Sequence, residues 1–275
     1  MTITREPGMF KRILLKLSGE YLAGDMDETG GNGSRFDVKT VGRITDEIKN
    51  VRSDGVEVCV VIGGGNFWRG AEAPESMDRV KADHIGMLAS VMNGIYLVDF
   101  YKSNGMAARV LTPVMFGSMT EVYNSDAADK YLSNGEILIF AGGTGHPFFS
   151  TDTIAAIRAA ELRADCVLYA KGVEGVCDKN PKKLKSGEEY GVYREITYNK
   201  MIRDNLTVVD IVAAELLRQR KIDSVLFDIR RDKSIETACR GDDEIFEIGT
   251  KIYWDRDKDW EEKSCLTTLK FMRKK

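Results

Sequence analysis

The sequence is poor in the residues from which disulfide frameworks and structural metal sites are built. Its 275 residues include only five cysteines, which are scattered and form no CxxC pair, and two histidines. An odd and scattered set of cysteines is typical of a reducing compartment, and so few ligands argue against a structural zinc site. The chain must therefore be stabilised by its core, and hydrophobic residues make up 43% of it.

Long apolar runs and an excess of one charge are also missing. No stretch approaches the ~18 apolar residues of a membrane span, and the start, MTITREPGMFKR, lacks the apolar run of a secretory signal. Lys and Arg total 40 against 43 Asp and Glu, a net charge of −3 that gives nucleic-acid binding no overall electrostatic support. We expect a soluble, cytoplasmic protein without membrane or nucleic-acid partners, in which residues 1–9 are an unstructured lead-in.

Short β-branched runs alternate with longer helical patterns along most of the chain. The runs that predict strands are Arg12–Leu17, Val56–Ile62, Met106–Thr112, Glu136–Ala141 and Asp165–Lys171. The patterns that predict helices are Val38–Val51, Asp78–Ser103 with breaks at Gly86 and Gly94, Ser125–Leu132 and Thr151–Ala164. This alternation predicts an α/β fold with a mostly parallel central sheet that is covered by helices on both faces.

The character of the chain changes after Lys171. Asp178–Gly191 is polar and predicts a surface loop, and a helix over Val208–Lys221, a strand at Ser224–Ile229, a short helix and a last strand near Glu247–Tyr253 are expected to follow. No sharp linker divides the chain. Residues 254–275 carry mixed charges, which is typical of a solvated terminal extension, and contact with a partner subunit is the alternative.

Three glycine clusters each follow a predicted strand. They are Lys16–Gly19, Gly63–Asn66 and Gly142–Gly145. Ligands of open α/β sheets bind beyond the carboxyl ends of the strands, where glycine lets backbone N–H groups approach an anion. None of the clusters matches GxxxxGK[ST] or a GxGxxG followed by an acidic residue, so a P-loop NTPase and an ordinary dinucleotide-binding oxidoreductase are disfavoured. The three clusters together predict a site for an anionic ligand.

Two basic residues accompany these clusters. Lys16 lies inside an apolar strand just before Ser18 and Gly19, and Arg69 follows the triple glycine by four residues. A lysine in this position is best explained as a clamp for phosphate oxygens that gain charge during transfer, although it could also extend out of the sheet into solvent.

Five motifs in register carry a resemblance to a known family. They are KRILLKLSGE, VVIGGGNFWRG, ADHIGMLASVMNG, AGGTGHPFFSTDTIAAIRAAEL and GVEGVCDKNPKK. In this order they resemble the bacterial uridylate kinases (UMP kinases) of the amino acid kinase family, from about Phe10 to Tyr253. The resemblance implies a three-layer α/β/α sandwich and a homohexamer built from dimers. It also implies Mg²⁺-dependent transfer of the γ-phosphoryl group of ATP to UMP in pyrimidine nucleotide biosynthesis, with GTP and UTP as possible effectors.

The same resemblance divides the chain and assigns site residues. Residues 10–253 would form the kinase domain, with 10–171 mainly binding UMP and 172–253 mainly binding ATP, and 254–275 would be an extension. The residues assigned to ATP are Lys16, Leu17, Ser18, Gly19, Gly65, Arg69, Lys171, Cys177 and Asn180. The residues assigned to UMP are Gly64, Asp83 at the ribose, Thr144, Gly145, His146, Pro147, Phe148, Phe149, Ser150 and Thr151. The catalytic assignments are Lys16, Arg69, Asp152 and Asp210, and Mg²⁺ is expected to arrive with ATP, with no protein ligand predicted for it.

Several of these assignments have a structural alternative. Asp210 could orient the ammonium group of Lys16 or could be an acidic residue in a distant helix, and Asp152 could serve the transfer site or be a helix N-cap. Phe148 and Phe149 could stack on uracil or belong to the core. His146 is interpreted as a polar contact only.

The chain departs from the family pattern mainly where adenine would bind. Cys177 stands where an aromatic residue is common, Asn180 where Asp is common, and Glu174-Gly175 replaces a usual DG, whereas His146 replaces Asn in the uracil segment. We therefore expect weak ATP binding, unless Tyr169 or Tyr190 covers the base instead. Two other functions stay open, namely a nucleotide-binding or storage protein without catalysis, and another enzyme of the family that phosphorylates a carboxylate or carbamate.

Overall fold

The computed structural model describes residues 9–23, 35–241, 244–254 and 269–274. Most of the lead-in, the Gly- and Asp-rich stretch 25–34 and residues 255–268 of the extension lie outside the described residues. No helix in the described part is long and apolar enough to cross a membrane.

The strands and helices follow the predicted alternation. The strands are β1 (Arg12–Leu17), β2 (Glu57–Ile62), β3 (Ala108–Thr112), β4 (Glu121–Val122), β5 (Ile137–Phe140), β6 (Cys166–Lys171), β7 (Val176–Cys177), β8 (Glu189–Tyr193), β9 (Glu195–Thr197), β10 (Asp223–Asp228), β11 (Gly249–Tyr253) and β12 (Leu269–Arg273). The helices are α1 (Val38–Ser53), α2 (Arg79–Ser103), α3 (Ser125–Ser133), α4 (Thr151–Glu161), α5 (Tyr198–Arg203), α6 (Ile211–Arg220), α7 (Ser234–Arg240) and α8 (Ile245–Ile248).

Nine of these strands form one sheet in the order β4-β3-β5-β2-β1-β6-β10-β11-β9. Neighbouring strands are parallel except β10 and β11, which are antiparallel. Alternate residues of β1 enter two separate hydrophobic clusters, with Ile13, Leu15 and Leu17 in one and Leu14 in the other. A strand that is buried on both faces belongs to the middle layer of a sandwich, so the predicted α/β/α architecture is confirmed.

Helix α2 continues through both glycines at which the sequence predicted breaks. A Cβ atom on Gly94 would lie 2.8 Å from Cγ2 of Val110 and 3.0 Å from Cβ of Ala141. Glycine is therefore used at position 94 to pack the helix closely on the sheet, and the long helix predicted over Asp78–Ser103 is confirmed.

The C-terminal part contains structure that the sequence patterns did not predict. Strand β8 (Glu189–Tyr193) begins inside the expected loop, and residues 269–273 of the expected extension form β12, which pairs with β8 in a separate sheet of order β12-β8-β7. The expectation of a solvated terminus is therefore wrong for residues 269–273, which are paired with β8. This segment completes a small antiparallel sheet within its own chain.

Candidate active site

The three glycine clusters meet at one edge of the large sheet. They follow β1, β2 and β5, which are adjacent in the order β5-β2-β1, and parallel strands end on the same side. Between them lies a cavity of about 490 Å³, the first cavity. Its lining includes Lys16, Ser18, Gly19, Gly63, Gly64, Gly65, Arg69, Asp83, Gly143, Phe149, Ser150 and Thr151. Leu17 is fully buried in the core, so only its backbone can serve a ligand.

Two buried asparagines hold the glycine loops in place. The amide group of Asn93 donates to the carbonyl oxygen of Gly63 and to Oδ1 of Asn66, both at 2.7 Å, and Nδ2 of Asn66 donates back to Oδ1 of Asn93 at 3.0 Å. Gly19 fits against this pair because a Cβ atom there would lie 2.5 Å from the carbonyl oxygen of Gly63. Sequence reasoning missed Asn93, whose only signal was a polar residue within the apolar stretch of α2.

A buried chain of charges lies at the carboxyl ends of β1 and β6. The ammonium group of Lys16 is 3.1 Å from Oδ1 of Asp152 and 2.9 Å from Oγ of Ser18. The ammonium group of Lys171 is 2.7 Å from Oδ2 of the same carboxylate and also donates to the carbonyl oxygen of Val208. Lys16 therefore does not extend into solvent, and Asp152 holds two ammonium groups close to each other.

The carboxyl group of Asp152 stays ionised because of this pairing. Burial alone raises a carboxyl pKa, but the charges of Lys16 and Lys171 outweigh it and lower the pKa of Asp152 to about 2. Burial also lowers the pKa of Lys171, which the negative charge of Asp152 partly offsets. The N-cap of α4 is Ser150, whose side chain accepts from the N–H of Thr153, so the N-cap alternative for Asp152 is wrong.

Asp210 does not contact Lys16. Its carboxylate caps α6 by accepting from the N–H groups of Val212 at 2.9 Å and Ala213 at 3.2 Å, and it accepts from the hydroxyl group of Thr153 at 3.1 Å. Its own N–H donates to Oδ2 of Asp152 at 3.3 Å. Asp152, and not Asp210, orients the ammonium group of Lys16, because α4 starts at the edge where β1 ends. Asp210 contacts the charged chain through this backbone hydrogen bond to Asp152.

Arg69 lies in the first cavity with the residues assigned to UMP. Its guanidinium group forms ion pairs with Glu20 and, at 3.6 Å, with Glu72. Because its side chain is 44% exposed, it can reach a phosphate group in this cavity.

Asp83 connects helix α2 to the segment predicted to surround uracil. Its carboxylate accepts from Nε of Arg79 at 2.9 Å and from the N–H of Phe148 at 2.9 Å. Burial raises the pKa of Asp83, but these hydrogen bonds and the charge of Arg79 lower it below its usual value. Phe148 has a φ of +73° and an exposed side chain (68%), and Phe149 is 51% exposed. The alternative that these two rings belong to the core is therefore wrong.

The residues between Gly143 and Phe149 form a tight turn beside the first cavity. The hydroxyl group of Thr144 accepts from the N–H of His146 and donates to its carbonyl oxygen, both at 3.1 Å. Gly143, Phe149, Ser150 and Thr151 line the cavity, whereas residues 144–148 are outside its lining.

A second cavity, of about 550 Å³, lies on the other side of the charged chain. Its lining includes Gly172, Glu174, Gly175, Cys177, Lys179, Asn180, Tyr190, Asn205, Leu206, Thr207, Val208 and Arg230. The carbonyl oxygen that Lys171 contacts belongs to Val208, so the charged chain extends from one cavity to the other. Cys177 and Asn180 lie where the sequence predicted a donor site.

The lining also contains residues 205–208 and Arg230, which no sequence motif indicated. Arg230 is held by a bidentate pair with Asp228, at 2.8 and 2.6 Å. Tyr190 lines the second cavity, whereas Tyr169 is fully buried beneath the sheet edge and cannot cover a ligand there. Burial raises the pKa of the Cys177 thiol to about 11, so it remains protonated at neutral pH.

The carboxylates of this region do not form a set of metal ligands. Among the residues that the structure describes, no three His, Cys, Asp or Glu side chains cluster as ligands would. Both oxygens of Asp152 face ammonium groups, and Oδ1 of Asp210 accepts from the first turn of α6.

Comparisons with known proteins identify the family of this chain. The model of the amino acid kinase family matches residues 11–228. A uridylate kinase of Mycoplasmopsis pulmonis is 42% identical over 236 residues, which are 85% of this chain and 94% of that protein.

Two solved structures extend the match to the fold. A UMP kinase of Bacillus anthracis superposes with a TM-score of 0.80 at 37% identity, covering 90% of this chain and 98% of the other. A UMP kinase of Ureaplasma parvum superposes with a TM-score of 0.77 at 30% identity, covering 88% and 98%. The chain therefore belongs to the amino acid kinase family, and the resemblance to its uridylate kinases that the five motifs carry is confirmed.

Proposed function

We propose that this protein is a UMP kinase that transfers the γ-phosphoryl group of ATP, bound in the second cavity, to UMP, bound in the first. One observation carries the proposal: two cavities of nucleotide size, about 490 and 550 Å³, are joined by the chain Lys16–Asp152–Lys171. The names of the relatives support the choice of substrates. A new bond forms between a phosphate oxygen of UMP and the γ-phosphorus, and the bond from that phosphorus to the β,γ-bridging oxygen breaks, which gives UDP and ADP.

The chain's part in this reaction is to position two anions and offset their repulsion. Phosphoryl transfer needs little covalent help, so charge and geometry dominate. Lys16 ends in the first cavity and is held between Asp152 and Ser18, which places its ammonium group before the reaction starts. Lys171 extends the positive charge toward the second cavity, and Asp210 supports Asp152 through its backbone N–H.

The acceptor is held by groups from two elements. Asp83 on α2 would accept hydrogen bonds from the ribose hydroxyl groups, and the segment Thr144–Thr151 would surround uracil and the phosphate, with Phe149 against the base. Since Arg69 lies in the same cavity as Asp83, we assign it to phosphate groups there, together with the backbone of Gly63–Gly65. A base whose polar edge leaves these groups unpaired would be rejected.

The donor occupies the second cavity as its magnesium complex. Cys177, Asn180 and Tyr190 would face the base and ribose, and Arg230 and Lys179 supply positive charge. The phosphates would extend toward Lys171, Lys16 and the Ser18–Gly19 backbone.

We further propose a cytoplasmic role in pyrimidine nucleotide synthesis, as a homohexamer built from dimers that responds to GTP and UTP. Helix α2 supports the oligomer because Ile85, Leu88, Met92 and Ile95, at helical spacing, are all exposed. Light scattering should give the mass of a hexamer for the wild-type protein and a smaller mass for the double variant Leu88→Asp/Met92→Asp. Initial rates measured with added GTP or UTP test whether these nucleotides change the activity.

A coupled ADP-release assay tests the activity itself. We expect turnover with ATP and UMP, and much lower turnover with CMP, dUMP or AMP. Comparable efficiency with CMP or AMP would contradict the uracil pocket. ATP and UMP binding without turnover would instead favour the nucleotide-binding alternative, and activity on a carboxylate or carbamate would favour another reaction of the family.

A further inference from the structure

The second cavity depends on the small sheet formed by β12, β8 and β7. Among the residues that line this cavity, Tyr190 of β8 is the single aromatic one. An aromatic ring is the strongest apolar platform for a nucleotide base, and Cys177 of β7 offers little area for stacking. The position of Tyr190 is therefore important for how the donor base is held, if the second cavity binds the donor as proposed above.

Strand β7 does not hold Tyr190. The pairing between β7 and β8 consists of Val176 with Tyr193 and Cys177 with Val192. A two-stranded ribbon this short is marginal in water. Gly191 is tied to Asp178, whose N–H donates to the Gly191 carbonyl oxygen at 2.9 Å and whose carboxylate accepts from the Gly191 N–H at 2.8 Å.

Strand β12 supplies the missing support. Its register with β8 runs from Leu269 opposite Tyr193 to Arg273 opposite Glu189 and places Met272 opposite Tyr190. The pairing continues past the strand, since the N–H of Lys274 donates to the carbonyl oxygen of Glu188 at 2.9 Å and its carbonyl oxygen accepts from the N–H of Gly187 at 2.9 Å. Tyr190 thus lies in the part of β8 that pairs as a strand with β12 and not with β7, while the ammonium group of Lys179 donates to the carbonyl oxygen of the neighbouring Glu189 at 3.3 Å.

Met272 and Tyr190 also share a face of this sheet. Residues directly opposite each other in an antiparallel pair point to the same side, with Cβ atoms about 4.5–5.5 Å apart. Val192 and Cys177 form the neighbouring pair on that side, because side chains alternate along each strand. The side chain of Met272 is therefore placed beside the ring of Tyr190, whereas Phe271 points to the opposite side and is 69% exposed.

We propose that the C-terminal strand β12 is a positioning element for the donor nucleotide, which fixes Tyr190 at the wall of the second cavity through the pairing of Met272 with Tyr190. The strand itself does not touch the reacting atoms. It restrains β8 as a longer hairpin would, and Tyr190 provides the stacking surface that an aromatic residue at position 177 would otherwise provide.

The test is a double-mutant cycle on ATP binding in the full-length protein. Deletion of residues 269–275 and the substitution Tyr190→Ala should each raise the KM for ATP and the Kd of a fluorescent ATP analogue roughly tenfold, with the KM for UMP unchanged. Combining them should give no further increase, because both changes remove the same platform. Tyr190→Phe should retain ATP affinity, and Phe271→Ala, on the opposite side of the strand, is the matched control.

Two outcomes would overturn the proposal: a folded deletion variant with wild-type ATP affinity, or effects that multiply in the combined variant. If the deletion variant does not fold, Met272→Gly takes its place. This substitution should raise the Kd of the ATP analogue two- to threefold, and the increase should be absent in a Tyr190→Ala background. An unchanged Kd in Met272→Gly would also contradict the proposal. The titration without UMP reads the donor site alone, so a wild-type protein that fails to phosphorylate UMP would refute the proposed function and leave this test intact.

Discussion

The two cavities lie side by side on one sheet edge, yet they are built in different ways. The first is formed by loops that leave adjacent core strands and is fixed by the buried pair Asn66 and Asn93. The second is formed by later connections and by a separate sheet in which β7 contributes two residue pairs. The first cavity therefore shares the stability of the core, whereas the second can be altered without loss of the core.

The largest expected effect tests whether the two cavities serve one reaction. Lys16→Ala should lower kcat by roughly 10²–10³-fold, the scale of losing one charge-stabilising group, and should leave UMP binding within about threefold. Steady-state kinetics with calorimetry of UMP binding measure this, with the exposed Lys49→Ala as control. A near-normal kcat would show that Lys16 does not act in the phosphoryl-transfer step.

The next effect concerns the charged chain that joins the cavities. Asp152→Asn should destabilise the fold by roughly 3–5 kcal/mol and lower kcat, because two buried ammonium groups then face each other without a counter-charge. Asp126→Asn is a matched control, since Asp126 also occupies the second position of a helix but is exposed. Urea unfolding should show a large loss of unfolding free energy for Asp152→Asn and little loss for Asp126→Asn. Equal losses in the two variants would contradict a stabilising role for the pairing of Asp152 with Lys16 and Lys171.

The same carboxylate gives a pH dependence of defined sign. Its pKa lies at about 2, below the ordinary value of 3.8, so it contributes stability that is fully present above pH ~4 and is lost as the pH falls toward 2. Asp152→Asn should flatten the wild-type stability curve in that window. Parallel curves for the two proteins would show that Asp152 carries no such linkage.

A smaller effect should test how rigid the glycine loop of the first cavity is. A Cβ atom on Gly64 would lie 2.7 Å from the carbonyl oxygen of Gly86 and 2.9 Å from the backbone nitrogen of Ser90, whereas at Gly63 its nearest contact is at 3.4 Å. Gly64→Ala should therefore cost roughly 1–3 kcal/mol and raise the KM for UMP, and Gly63→Ala should unfold near the wild-type midpoint. Thermal unfolding of the two variants decides this, and equal midpoints would mean that the loop can shift away from α2.

The smallest effect is expected on the donor side. Because Tyr190 is proposed to cover the base, Cys177→Tyr should leave the KM for ATP unchanged or raise it slightly, with the KM for UMP unchanged. Donor titration of the variant measures this. A KM for ATP that falls several-fold would indicate that the base lies against position 177 and not against Tyr190.

The parts that local pattern could predict are those with a local cause. Arg12–Leu17 forms β1 with the predicted bounds because a buried strand in a parallel sheet is a continuous apolar run. The glycine clusters were located correctly because strand ends in such a sheet share an edge.

What could not be predicted depends on pairs distant in sequence. The partner of Lys16 is Asp152 and not Asp210, a choice that follows from where α4 starts relative to β1. Leu269–Arg273 reads as a mixed charged and apolar tail and becomes a strand only because β8 has an open edge. Helix α2 passes Gly94 because close packing on the sheet outweighs the local cost of glycine.

The pairing of β12 with β8 also has a consequence for synthesis. Synthesis proceeds from the N-terminus, so every residue that lines the first cavity is made before Met272. The wall of the second cavity instead joins Tyr190, from the middle of the chain, to a strand that is made much later. The second cavity can therefore be complete only after β12 has been made.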